Sequence, residues 1–197
     1  YREEKFLGSS VAPTKYLRNQ KYRELDWQNI TSVKMFGGEP LVSPGFKQFV
    51  LWSYSTVDWH NIDLEIITNN SVDIPPEYKR MLNSCRSLHV TISRDGLDGV
   101  NQMVRQGAEP LIAELDRFGQ WYPYTDRIAV HSAVGIYNAL DQESMHSWFG
   151  KHHPSFTVNM EMIQSPAYLD LRNMPIDLKT LYSKLITNKQ ILSWMLQ

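Results

Sequence analysis

Short apolar runs alternate with helical patterns along this chain. Val33-Lys34-Met35-Phe36 is strand-like and runs into Gly37-Gly38. Phe46, Phe49, Val50 and Tyr54 then fall at helical spacing, with Pro44 near the start of the pattern. Leu64 to Thr68 predicts the next strand, and Pro75-Pro76 opens a helix through Tyr78, Met81 and Leu82, because proline suits a first helical turn. Leu88 to Ser93 predicts a third strand.

The fourth unit is longer. Asp95-Gly96 makes a turn, a helix is expected from Leu97 to Gln106, and a second carries Leu111, Ile112, Leu115 and Phe118 on one face. Ile128 to Ile136 is rich in β-branched residues and predicts a strand. Asp141 is placed to cap a short helix with Met145, Trp148 and Phe149, and Phe156 to Ile163 alternates as a strand does. Asp177 is placed to cap a last helix carrying Leu178, Leu181, Tyr182, Leu185 and Ile186.

Repeated strand–helix alternation predicts parallel strands joined by right-handed crossovers. The fold class is α/β, read as a partial or open (β/α) barrel rather than a doubly wound sheet. Residues 1–29 are ambiguous and partly helical, with one helix around Lys15 to Leu25; residues 30–197 read as a single domain.

The 197 residues suffice for a sizeable core, burying roughly 70% of the unfolded surface. Lys plus Arg total 20 against 21 Asp plus Glu, a formal net charge of -1. That excludes a generally basic nucleic-acid coat. No apolar run approaches the roughly 18 residues of a spanning helix, and Tyr1-Arg2-Glu3-Glu4-Lys5 lacks a signal-peptide core. Neither nucleic acid nor membrane is an expected partner. Cys85 is the single cysteine, so no internal disulfide framework and no cysteine-rich metal site can form within the chain.

In a parallel α/β fold ligands bind at the carboxyl ends of the strands. The residues there are polar or glycine-rich each time: Gly37-Gly38-Glu39-Pro40, Thr68-Asn69-Asn70, Ser93-Arg94-Asp95-Gly96 and Asn138. Turn chemistry alone accounts for any one of them. Four along the same edge of one sheet point to a polar small molecule. Gly37-Gly38 would let the backbone come close to a ligand and present carbonyls to an ammonium group, with the Glu39 carboxylate beside them.

Together these segments resemble the radical S-adenosylmethionine (SAM) superfamily. The resemblance rests on Val33 to Leu41, Ile66 to Asn70, Val90 to Gly96 and Arg105 twelve positions after Ser93, in the family's order. It spans roughly Ile30 to Ile163, and the nearest look is to the branch with SPASM or twitch extensions. It implies a radical SAM enzyme core that generates a 5′-deoxyadenosyl radical for hydrogen abstraction, from a peptide or protein among other substrates. Gly37, Gly38, Glu39 and Pro40 would hold the methionine amino group. Thr68 and Asn69 would line the pocket, Ser93 and Arg105 would grip the methionine carboxylate, and Asn138 would approach the ribose or adenine side. Asp95 is expected to shape its turn. An electron donor and a cytoplasmic location follow from the same resemblance.

The departure from the family is the missing CxxxCxxC loop, whose thiolates hold a [4Fe–4S] cluster. Neither a metal ligand nor a catalytic residue is therefore assigned in this chain, which is expected to be inactive alone. The chain opens on Tyr1, and the loop is expected upstream of it. The alternative is a degenerate barrel acting as a non-enzymatic module that binds a peptide or a partner. After Ile163 no cysteine is present for an auxiliary cluster. Cys85 reads as a core thiol. His131, His146, His152 and His153 lack metal-ligand spacing, so the histidine pair reads as a solvated loop before Pro154. Most tryptophans read as packing, with substrate stacking by Trp121 or Tyr122 as the sharper option.

Overall fold

A computed structural model of the chain describes residues 20–105, 108 and 111–197, without the side chains of 112–114. Most of the N-terminal segment, Gln106 and the side chain of Ile112 lie outside the described residues. Among the described residues five strands form one open parallel sheet with crossover helices, in the order β1-β2-β3-β4-β5. They are β1 Ser32–Met35, β2 Asp63–Thr68, β3 Ser87–Ser93, β4 Ile128–Val134 and β5 Thr157–Met162. β1 registers on β2 with Met35 opposite Ile66, and β4 on β5 with Val134 opposite Met162. No helix of the described residues is long and apolar enough to cross a membrane.

The chain divides into two compact units, residues 1–90 with 117–125 and residues 91–116 with 126–197. In the first, α1 Pro44–Ser53 and α2 Pro76–Ser84 each carry proline in the first turn, as the missing N–H and fixed φ allow. The Ser43 side chain accepts from Phe46 N to close the start of α1. Leu64, Ile66 and Thr68 are buried on alternate positions of β2, the period a strand requires. They share the interior with Met35, Val50, Tyr78, Met81 and Trp121. At the edge of this core Phe49 meets Tyr22 edge-on, with ring centres 5.2 Å apart, and Trp59 at 6.1 Å.

The second unit holds α3 Asp98–Val104, α5 Gln142–His152, α6 Ile176–Leu185 and α7 Lys189–Met195; α4 Leu111–Gly119 runs across the division between the units. Val134, Ala139, Leu171, Met174, Ile186, Ile191 and Met195 form its buried cluster. Two caps differ from expectation. Pro175, not Asp177, precedes α6 as its N-cap. Asp141 does precede α5, but its carboxylate makes no cap bond there; Oδ2 accepts from Leu97 N instead. α7 was not expected from the pattern. It starts at Asn188, whose Oδ1 accepts from Gln190 N at 3.0 Å and Ile191 N at 3.2 Å. Glu143 Oε1 also accepts from the backbone of Thr187 and Asn188, tying this entry to α5.

Candidate functional site

In the first unit the turn after β1 is built on two left-handed glycines, Gly37 at φ +90° and Gly38 at φ +55°. A Cβ at either would meet nothing within 4 Å. The need for glycine is therefore conformational, and the backbone here lies open. Glu39 fastens this turn to the end of β2. Its Oε1 accepts from Thr68 Oγ1 at 2.7 Å and from Leu41 N at 3.1 Å, and Oε2 accepts from Asn69 N at 2.6 Å. Pro40 is held from the other side: Tyr78 Oη, on α2, donates to its carbonyl at 2.8 Å. Burial pushes the Tyr78 phenol well up from its ordinary value, so it remains a donor.

Thr68 is buried, and its hydroxyl also accepts from Asn70 N at 2.9 Å. Asn70 stands at φ +57°, a conformation asparagine tolerates better than most residues. Its Oδ1 accepts from Trp121 Nε1 at 3.1 Å, which fixes which end of the amide is oxygen. Asn70 Nδ2 is then left buried with no hydrogen-bond partner. The structure thus brings together Glu39, Thr68 and Asn69 of the predicted set, and adds Asn70 and Tyr78. Asn70 gave no signal beyond its place in the turn. Tyr78 did: a tyrosine on a buried helix face must find a partner for its hydroxyl.

In the second unit Ser93 ends β3 half-buried, and Asp95 is the centre of a network. Asp95 Oδ1 accepts from Ala133 N at 2.9 Å, and its carbonyl accepts from Asn138 Nδ2 at 2.7 Å and Gln142 Nε2 at 3.1 Å. Arg105 Nε lies 2.9 Å from Asp95 Oδ2. Asn138 is buried, and its amide also donates to Ala133 O at 2.9 Å and accepts from Gly135 N at 2.8 Å. Both of its N–H groups are committed to backbone, so Asn138 braces the end of β4. The Asp95 carboxylate, expected to shape its own turn, is spent on Ala133 N of β4 and on the ion pair with Arg105.

No family model matches the chain, and no curated protein matches it. Among solved structures, the crystal structure of Streptococcus suis SuiB bound to S-adenosylmethionine is similar at a TM-score of 0.43 and 16% identity. The match covers 79% of this chain and 36% of that one. The chain thus spans about a third of the length of the SuiB chain, and a match this shallow brings no chemistry with it.

The residues answer differently to the two groups that the radical SAM resemblance implies. For S-adenosylmethionine they fit. In the first unit the open glycine backbone suits an ammonium group, and Asn70 Nδ2 is a donor without a hydrogen-bond partner. For a [4Fe–4S] cluster they do not. Such clusters take several thiolates, while this chain has Cys85 alone, on a thiol that burial pushes up and whose Sγ donates to Leu82 O at 3.3 Å.

Two side readings change. Trp121 is fully buried and bonded to Asn70, which removes it as a substrate-stacking surface. The histidine pair is not a solvated loop: His152 closes α5 and stacks on Trp148 at 4.7 Å, while His153 is buried and stacks on Phe156 at 4.8 Å. His131 faces Glu161 at 3.5 Å. Among the described residues no three His, Cys, Asp or Glu side chains are grouped to hold a metal ion.

Proposed function

We propose that this chain supplies the S-adenosylmethionine-binding part of a radical SAM enzyme core. The observation that carries the reading is the Glu39 carboxylate, which joins the open Gly37-Gly38 turn to Thr68 and Asn69 at the end of the neighbouring strand. S-adenosylmethionine supplies hydrogen-abstracting radical chemistry when bound beside a [4Fe–4S] cluster, whose thiolates this chain does not carry. The chain's own residues bind and orient. The Gly37 and Gly38 carbonyls accept from the methionine ammonium, with Glu39 adding negative charge. Thr68 and Asn69 line that end; the carboxylate is assigned by the family resemblance to Ser93 and Arg105 of the second unit, a guanidinium fork being suited to it. Asn138 serves by fixing the strand end. A peptide or protein is the proposed substrate class, and an electron donor the proposed partner.

The test is ligand-observed NMR on this chain with S-adenosylmethionine. Saturation transfer to the ligand's S-methyl signal is expected, and its loss in Gly38→Val. No transfer from the unaltered chain overturns the reading.

The single cysteine favours a second reading, a barrel that binds a peptide or partner without catalysis. Anaerobic iron–sulfur reconstitution of the full-length gene product separates the two. A brown protein that cleaves S-adenosylmethionine supports the enzyme, and a colourless one the module.

A further inference from the structure

In the second unit, helix α6 touches its own fold along one side. Tyr182 packs against the buried cluster and its hydroxyl donates to the Ile136 carbonyl at 3.4 Å, while Ile186, just past the helix end, belongs to that cluster. No residue of α6 itself is buried. Leu178, Leu181 and Leu185 stand at i, i+3 and i+7, the spacing that lines up one stripe on a helix. They are 39%, 50% and 56% exposed. Single exposed apolar side chains are ordinary, but a contiguous stripe of them marks a surface that meets something.

The charges beside the stripe indicate what meets it. Asp177 and Lys184 each precede a leucine of the stripe, so they lie on the same flank of it, two turns apart. Both are exposed, and neither has an ion-pair partner among the described residues. Across about 10 Å of helix they cannot pair with each other. They can pair with a second α6 running the other way, because like flanks face each other in an antiparallel pair of helices. With the two Leu181 side chains at the crossing, Asp177 stands four positions before it and Lys184 three after it. Asp177 of one copy therefore meets Lys184 of the other to within one residue, about 1.5 Å along the axis. Leu178 meets Leu185 of the second copy with the same offset. A parallel pair would set Asp177 beside Tyr182 instead and leave both charges unmatched.

We infer that α6 is a self-association surface: two copies of this chain pair antiparallel through Leu178, Leu181 and Leu185, with Asp177 and Lys184 matched across the pair. The contact is isologous, so it closes at two copies. Three leucines per copy cannot cover the roughly 800 Å² per partner of a standard interface. The dimer is therefore weak and populated at high concentration, and its exposed ion pairs set direction more than strength. The inference is independent of the S-adenosylmethionine reading.

The experiment is sedimentation velocity on the chain over about 10 to 500 μM, the range in which a contact of this size associates. The unaltered chain is expected to sediment as a reversible monomer–dimer equilibrium, and Leu181→Gln as a monomer throughout with unchanged circular dichroism. Asp177→Lys and Lys184→Asp each set like charges against each other twice across the pair, and each should weaken the dimer at least about fivefold. Mixed in equal amounts, these two variants should associate again, since both crossed pairs then carry opposite charges. A chain that stays monomeric at the highest concentration leaves the stripe to a different partner and overturns the inference. So does assembly beyond two copies, a dimer that persists in Leu181→Gln, a charge variant that dimerises as the unaltered chain does, or a mixture that stays monomeric.

Discussion

The Glu39 carboxylate and the Thr68 hydroxyl, 29 positions apart in sequence, meet at 2.7 Å. The contact welds two strand-end turns whose conformations neither strand enforces. Because Oε1 and Oε2 together take three donors from Thr68, Leu41 and Asn69, Glu39→Ala should release both turns. Bonds to a charged acceptor are worth about 1.5–3 kcal/mol each at most, and water reaches this half-buried group. A net loss of about 1–3 kcal/mol in urea unfolding is expected. Thr68→Val should lose less, since Leu41 and Asn69 keep their acceptor.

Tyr78→Phe tests the brace from α2. The ring stays and only the hydroxyl goes, leaving the Pro40 carbonyl without the donor seen at 2.8 Å. Stability should fall by about 1–2 kcal/mol, the cost of a buried acceptor left unpaired. Tyr78 touches no ligand in the proposed reading. S-adenosylmethionine binding should weaken along with the loosened turn, which titration of the variant would show.

The strands were legible because parallel strands advertise themselves. Ile128–Val134 is buried over most of its length and, apart from His131 and Ser132, consists of short apolar and β-branched residues, and Leu64 and Ile66 alternate cleanly. Proline marked the starts of two helices for a local, steric reason. The capping aspartates were less legible, since a carboxylate can reach any nearby N–H: Asp141 satisfies Leu97 rather than its own helix. The helix Lys189–Met195 is too short to establish a period. Within the candidate site, residue types showed where glycine and carboxylate would stand. They could not show that Glu39 turns to Thr68, or that Asn138 gives its amide to the backbone, because those partners are distant in sequence.

Gly37→Ala isolates the backbone requirement. With φ at +90° and open space where the Cβ would stand, the cost comes from conformation alone, about 1–2 kcal/mol. Gly99, at a helical position with equally open space and no positive φ, is the control. Gly99→Ala should be neutral to stabilising by up to about 1 kcal/mol, since alanine favours the helix. Thermal melts of the two variants should move in opposite directions.

The acid sensitivity of the second unit should begin with histidine. Burial holds the His146 imidazole below its ordinary range, and burial together with the charge of His152 does the same for His153. A base whose folded value is lowered resists protonation in the fold but not in the unfolded chain. Above the ordinary imidazole value, about 6.5, both states are neutral and the fold bears no penalty. As the pH falls below it the unfolded chain takes up protons first, so stability declines until the pH has passed the lowered folded values. Asp170 acts in a separate, more acidic window. The Arg172 guanidinium holds its carboxyl below the usual range, so the stability it adds is complete above the ordinary aspartate value and is lost as the pH falls through the folded one. The urea midpoint should therefore drop between pH 7.5 and 5.5, well before carboxylates titrate. In His146→Leu that drop should be shallower, whereas in Asp170→Asn it should be unchanged and only the loss below about pH 4 should become smaller. A midpoint flat from pH 7.5 to 5.5 would show that both imidazoles take protons as freely in the fold as outside it.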